Sequence, residues 1–201
     1  MRLRRRVRNA CGRAWLRAFG WEIEGGPPAV EKAVVVAAPH TSNWDLPFTL
    51  AVAWSLDLDI RWVGKHTLFE RPVWGGFLRS LGGIGVDRRT SNDAVKSIAE
   101  VIRRHERILL IVPPEGTRSA AKRWKTGFYW IAVEAGVPIV LGFLDYGKKR
   151  GGLAELLHPT GDIAADFELL RRFYRDVRGK FPERQGEISL GDAAPAPIAT
   201  A

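Results

Sequence analysis

Apolar residues near the start of the chain recur at every fourth position: Leu3, Val7, Cys11, Trp15 and Phe19, with Ala10, Ala14 and Ala18 beside them. That period predicts an amphipathic helix, ended by Gly20 and then by Gly25-Gly26-Pro27-Pro28. After this the pattern changes. Residues 33–38 are an unbroken apolar, β-branched run, as a strand covered on both faces requires. Shorter runs of the same kind stand at 60–63, 84–86, 108–112 and 137–143. Helical patterns fall between and after them, at 45–55, 92–105, 125–135 and 162–177. In 92–105, Val95, Ile98, Ala99 and Ile102 share one face, and Ser91 or Asn92 serves as cap. Residues 67–81 read as mixed helix and turn, broken at Pro72. Strands alternating with helices predict an α/β domain with a central, mainly parallel sheet flanked by helices. Sheets of that kind bind ligands at the C-terminal ends of their strands.

Charge divides the chain. Of the net +9, seven Arg lie in the first 20 residues with no acid among them, leaving +2 for the rest. The division proposed is a basic amphipathic membrane-surface helix at 1–24, a domain at 25–190 and a loose Ala/Pro-rich tail at 191–201. A cluster of Arg calls for an anionic partner, either a membrane or a nucleic acid. Trp15 and Phe19 sit on the apolar stripe rather than among the Arg. This favours a bilayer, with Trp15, Phe19 and Trp21 at the headgroup level. No nucleic acid is then expected as partner; a basic surface-binding module without catalysis is the alternative reading. No apolar stretch reaches the ~18 residues of a membrane span. A secretory signal is not expected either, because Arg13 and Arg17 interrupt the apolar start. Cys11, the single cysteine, excludes an internal disulfide and points to a reducing compartment. Together these give a monotopic protein on the cytoplasmic membrane face as the expectation.

Chemistry gathers where strands are predicted to end. Pro39-His40-Thr41-Ser42-Asn43-Trp44-Asp45 follows the first strand. If His40 lies on the strand end and Asp45 on the first helical turn, the carboxylate can take one imidazole N–H and leave the other nitrogen as a base. Helix capping is the plainer explanation, since Ser42-x-x-Asp45 fits a capping box and an acid suits a first turn. Capping leaves His40 unexplained, and the pattern alone keeps both readings open. Pro113-Pro114-Glu115-Gly116-Thr117-Arg118-Ser119 follows a second strand. Gly116 permits close backbone approach, and Arg118 suits a phosphate or carboxylate. Gly82 to Arg89 surrounds a third strand end.

The His-x4-Asp spacing of His40 and Asp45, with Pro114-Glu115-Gly116-Thr117-Arg118-Ser119 about seventy residues on, resembles the glycerolipid acyltransferases, the family that includes lysophosphatidate acyltransferase. Three further stretches are similar to that family: Lys65-His66-Thr67-Leu68-Phe69, Gly83-Ile84-Gly85-Val86-Asp87-Arg88 and Val137-Pro138-Ile139-Val140. The resemblance implies acyl transfer from acyl-CoA or acyl-carrier protein to a lipid hydroxyl, with no further cofactor. It makes His40 the general base and Asp45 its orienting acid. It places Arg88, Glu115, Gly116, Thr117 and Arg118 around the acceptor's glycerol phosphate. Two positions depart from the family pattern, Pro39 where Asn is usual and Pro113 where Phe is usual.

The remaining inventory agrees. No Gly-x-Ser-x-Gly offers a serine nucleophile, and no His/Cys/Glu cluster has metal spacing. Residues 142–149 nearly match a phosphate-binding P-loop, but Lys149 replaces the required Ser/Thr, and the stretch reads as a basic turn.

Overall fold

The computed structural model describes residues 2–86, 91–119 and 123–190. Among these residues one seven-stranded sheet carries the fold. Its strands are β1 (Glu22–Gly25), β2 (Lys32–Ala38), β3 (Ile60–Lys65), β4 (Gly83–Val86), β5 (Ile108–Val112), β6 (Ile139–Asp145) and β7 (Arg150–Leu157). Their order across the sheet is β1-β7-β6-β2-β5-β3-β4. The five from β6 to β4 are mutually parallel, while β7 runs antiparallel to β6 and β1 pairs with β7 in parallel.

The helices are α1 (Arg2–Phe19), α2 (Asp45–Ser55), α3 (Pro72–Ser80), α4 (Ser91–Arg104), α5 (Gly127–Ala135) and α6 (Ile163–Tyr174). Val34, Val36 and Leu110 face α4, α5 and α6, whose Ile102, Phe128 and Leu170 are fully buried. The alternate residues, Val35 and Ile111, face α2. Both faces of the central strands are therefore covered, which is why β2 and β5 read as continuous apolar runs rather than as alternation. Helix α1 lies over α2 as a further layer. A Cβ at Gly12 would come within 2.6 Å of the Ala51 carbonyl oxygen, so the two helices touch backbone to backbone. Helix α3 is on the same side: Phe69, just before it, lies against Gly64, Gly83 and Gly85 and packs with Trp62 of the α2 cluster.

The structure departs from the sequence reading at several places. Strands β1 and β7 were not expected. Glu22, Glu24 and Gly25 are exposed at a sheet edge, and β7 contains Gly151-Gly152, so neither has a buried strand's signature. Gly152 is required because a Cβ there would stand 1.7 Å from the Glu24 carbonyl oxygen. Residues 22–24, grouped above with the N-terminal helix, thus belong to the sheet. Pro72 opens α3 rather than breaking a helix, as its fixed φ and missing N–H allow. Trp21, expected at a headgroup level, is buried and stacks on Phe48 at 4.3 Å between ring centroids. Trp15 is half-buried beside Phe48 and Trp44. No helix among the described residues is long and apolar enough to cross a membrane. The tail at 191–201 lies outside the described residues.

Candidate active site

Strand order builds the site. Strand β2 lies between β5 and β6, with Val36 opposite Val112 and Ala38 opposite Phe143. The segments that leave β2, β5 and β6 at their C-terminal ends are therefore neighbours. The first brings His40 and Asp45, the second Glu115 to Arg118, and the third Tyr146.

His40 Nδ1 lies 2.9 Å from Asp45 Oδ2. The same oxygen accepts the Thr41 and Ser42 backbone N–H groups at 3.0 and 2.9 Å. The other, Oδ1, accepts the Tyr146 hydroxyl at 2.9 Å. Asp45 is almost wholly buried, and its four hydrogen-bond partners offset the cost of taking its carboxyl group out of water. With Nδ1 as the N–H partner of the carboxylate, Nε2 is the imidazole nitrogen left for chemistry. His40 keeps 19% of its side-chain surface open.

The capping reading and the dyad reading share one carboxylate. Asp45 takes the Ser42 N–H, as a capping box requires, while Ser42 Oγ takes the N–H of Trp44 at 3.1 Å. Trp44 occupies the N-cap position of α2 and makes no side-chain cap bond. The chain thus bends tightly at 40–45, and the bend itself presses Asp45 against the imidazole.

Glu115 is buried behind this pair. Its Oε1 accepts the His40 backbone N–H at 3.1 Å, while Oε2 is buried with no partner among the described residues. Burial raises the Glu115 carboxyl above its usual range, against the lowering effect of the His40 N–H. Tyr146 titrates far above an ordinary phenol, first from burial and then from the Asp45 charge, so it remains a donor. Gly116 adopts φ +65°, and the Lys125 amino end lies alongside it. Thr117, Arg118 and Ser119 are exposed, with the Thr117 and Ser119 hydroxyls 2.8 Å apart. Arg88 lies outside the described residues.

His40, Asp45, Glu115, Gly116, Thr117, Arg118 and Lys125 border one cavity of about 1110 Å³. Its mouth carries Lys65, Arg118, Arg123 and Lys125. Its apolar lining comes from the α2 side of the sheet, with Val35, Leu46, Ala53, Ile60 and Trp62, and from α4 and α5, with Val95, Ile98, Phe128 and Ile131. The His–carboxylate pair stands where the basic rim meets the apolar interior.

Two site residues were not found from the sequence. Tyr146 was passed over inside the false P-loop, and only the adjacency of β6 to β2 brings it to Asp45. Lys180 lies in the loop after α6, with its amino group 5.6 Å from the ring centres of both Trp44 and Tyr146. The same loop braces the bend: Phe181 N–H donates to Thr41 Oγ1 at 3.2 Å, and Gly179 packs on Thr41 and Pro39.

A paired His and Asp at the C-terminal edge of a parallel sheet, beside a cavity with an apolar lining and exposed cations, is the arrangement of an enzyme site built for general-base chemistry. The acyltransferase family model matches residues 22–140, more than half of the chain, and the chain belongs to that family. Among characterised proteins, the 1-acyl-sn-glycerol-3-phosphate acyltransferase of Escherichia coli K12 is 30% identical over 130 residues, 61% of this chain and 52% of that protein. Its Salmonella typhimurium counterpart is 31% identical over the same length. The chain spans about half the length of these relatives. The crystal structure of PlsC, the 1-acyl-sn-glycerophosphate acyltransferase of Thermotoga maritima, shares the fold, with a TM-score of 0.61 at 20% identity over 88% of this chain and 80% of that one.

Proposed function

We propose that this protein transfers an acyl group from a thioester, acyl-CoA or acyl-carrier protein, to a free hydroxyl of a lysophospholipid, as the named relatives' activity suggests. The observation that carries this reading is the His40–Asp45 contact of 2.9 Å at the junction of the cavity's basic mouth and apolar interior. His40 Nε2 accepts the proton of the acceptor hydroxyl as its oxygen attacks the thioester carbonyl. Asp45 holds the ring in the required tautomer and balances the imidazolium that forms. Collapse of the tetrahedral intermediate expels the thiolate, which takes the proton back from His40. The ester bond forms as the carbon–sulfur bond breaks.

The rim and interior divide the binding. Arg118 and Lys125 suit a phosphate, by charge-assisted hydrogen bonds. Each methylene that enters the cavity adds about 0.8 kcal/mol of apolar burial. The basic N-terminal helix suits an anionic membrane surface on the cytoplasmic side, where thioester donors reside. The deciding experiment incubates the purified chain with acyl-CoA or acyl-carrier protein and a panel of lysophospholipids, with mass-spectrometric detection of the diacyl product. Absence of product from every pairing, with correctly folded protein, would sink the proposal.

A further inference from the structure

Four large apolar side chains stand exposed together around the start of α3: Leu68 (48%), Val73 (83%), Trp74 (60%) and Phe77 (51%). Trp74 and Phe77 are one turn apart, and their rings meet edge to face at 5.9 Å. On the other side of α3, Gly75 is buried, and a Cβ there would stand 2.2 Å from the Phe69 carbonyl oxygen. The helix therefore buries its glycine and presents its bulk to solvent, the reverse of a helix that packs on a core. Single exposed apolar residues are ordinary, but a contiguous group calls for a partner.

Three observations identify that partner. The first is continuity. Leu68 borders the active-site cavity as well as the patch, so the exposed face runs up to the mouth. The second is charge. Lys65 and Arg71 are exposed beside the patch, and Arg118 stands across the mouth. Glu70, the acid nearby, faces His66 at 3.7 Å. The third is position. Helix α3 shares its side of the sheet with α1, whose Phe19 is exposed near Trp44 at the catalytic edge. An aromatic pair flanked by cations is the composition of an interfacial helix on an anionic bilayer.

We propose that the Leu68, Val73, Trp74 and Phe77 face inserts into the headgroup–acyl boundary of an anionic membrane. The cavity mouth then opens onto the leaflet, and an acceptor enters from lipid. The entry route rests on the acyl-transfer reading; the insertion does not.

The test compares the full chain with a Trp74→Ser/Phe77→Ser pair and a conservative Trp74→Tyr/Phe77→Leu pair. Both pairs lie on the surface, and unchanged melting temperatures verify the fold. Partition onto vesicles of phosphatidylglycerol and phosphatidylethanolamine is read by flotation. The serine pair should lose about tenfold or more in partition, and the conservative pair should keep it. Lipids brominated on the acyl chain should quench emission that Trp74→Phe removes. Transfer to a short-chain lysophosphatidate dispersed singly in water should be unchanged in the serine pair, while transfer to vesicle-embedded acceptor falls with partition. Equal flotation of the serine pair and the wild type overturns the proposal, as does an absence of Trp74-dependent quenching. If the wild-type chain transfers nothing to the soluble acceptor, the acyl-transfer reading fails, and flotation still decides the docking.

Discussion

Tyr146 donates its hydroxyl to Asp45 at 2.9 Å, from a turn one hundred and one residues away in the chain. The carboxylate that orients His40 is thus itself fixed from behind. The other three bonds to Asp45 go to Oδ2, and Oδ1 takes the phenol. Burial and the Asp45 charge keep Tyr146 protonated, so the bond is always donated in the same direction. Asp45 is held by two backbone N–H groups, one phenol and the Nδ1 side of one imidazole, whose other nitrogen, Nε2, faces away from the carboxylate.

Tyr146→Phe keeps the ring among Trp21 and Phe48 and removes only the hydroxyl. The loss of one buried hydrogen bond to a charge corresponds to about 1.5–3 kcal/mol, or about 10–100-fold. This loss should fall on kcat, with the KM for acceptor little changed. An unchanged kcat in the folded variant would reduce Tyr146 to a packing role.

His40→Ala should lower turnover by about 10²–10⁴-fold, the usual contribution of a positioned base. Asp45→Asn should also lose turnover, because an amide can donate to Nδ1 and turn the wrong nitrogen toward the substrate. His40 is part-exposed, so its truncation should leave the melting temperature nearly unchanged. Wild-type turnover by His40→Ala on the true substrate would remove the mechanism.

Glu115→Gln tests the orphan carboxyl through stability. In the fold its carboxyl is held above the ordinary value of 4.5, chiefly by burial. The native chain then keeps a proton that the unfolded chain has lost. Folding stability accordingly falls as pH rises from about 4.5 through the raised value, and stays lower above it. Glutamine cannot ionise, so it removes that slope. The variant should match the wild type near pH 4 and melt higher at about pH 8, by about 2–4 °C for each kcal/mol recovered. Calorimetry across this range checks the sign; a variant that melts lower at alkaline pH would show a carboxylate that the fold prefers charged.

Arg118→Ala should raise the KM for a phosphorylated acceptor by about 10–100-fold, the range for a charge-assisted bond, with kcat largely retained. Arg88→Ala is expected to act in the same way. Steady-state kinetics on phosphorylated and unphosphorylated acceptors separates the two classes. Equal effects on both would argue for an acceptor without phosphate.

Much of this molecule was open to reading from local pattern. Helix α2 begins and ends where the sequence placed it, and β5 spans the very residues of its apolar run. Buried central strands and amphipathic helices announce themselves because their periodicity is a direct record of which sides meet apolar surroundings. The His40 and Asp45 pairing was also within reach, since both lie on one tight bend and their distance is a local matter. Edge strands β1 and β7 were not legible. One is exposed and the other is rich in glycine for close approach, so neither carries the hydrophobic record that pattern reading needs.

What the sequence determined by itself, then, was the alternating α/β plan and the chemical identity of the pair at the end of β2. Only the tertiary structure decided what surrounds that pair. Glu115 meets the His40 N–H because β5 lies on one side of β2, and Tyr146 meets Asp45 because β6 lies on the other. Strand order is set by long-range burial across the whole sheet, and no local spacing records it. The same holds for Trp21, whose side chain the sequence would send to a membrane and the packing of α1 on α2 draws inside. A residue's chemistry is written locally, whereas its neighbours are chosen by the fold that buries the most apolar surface at once.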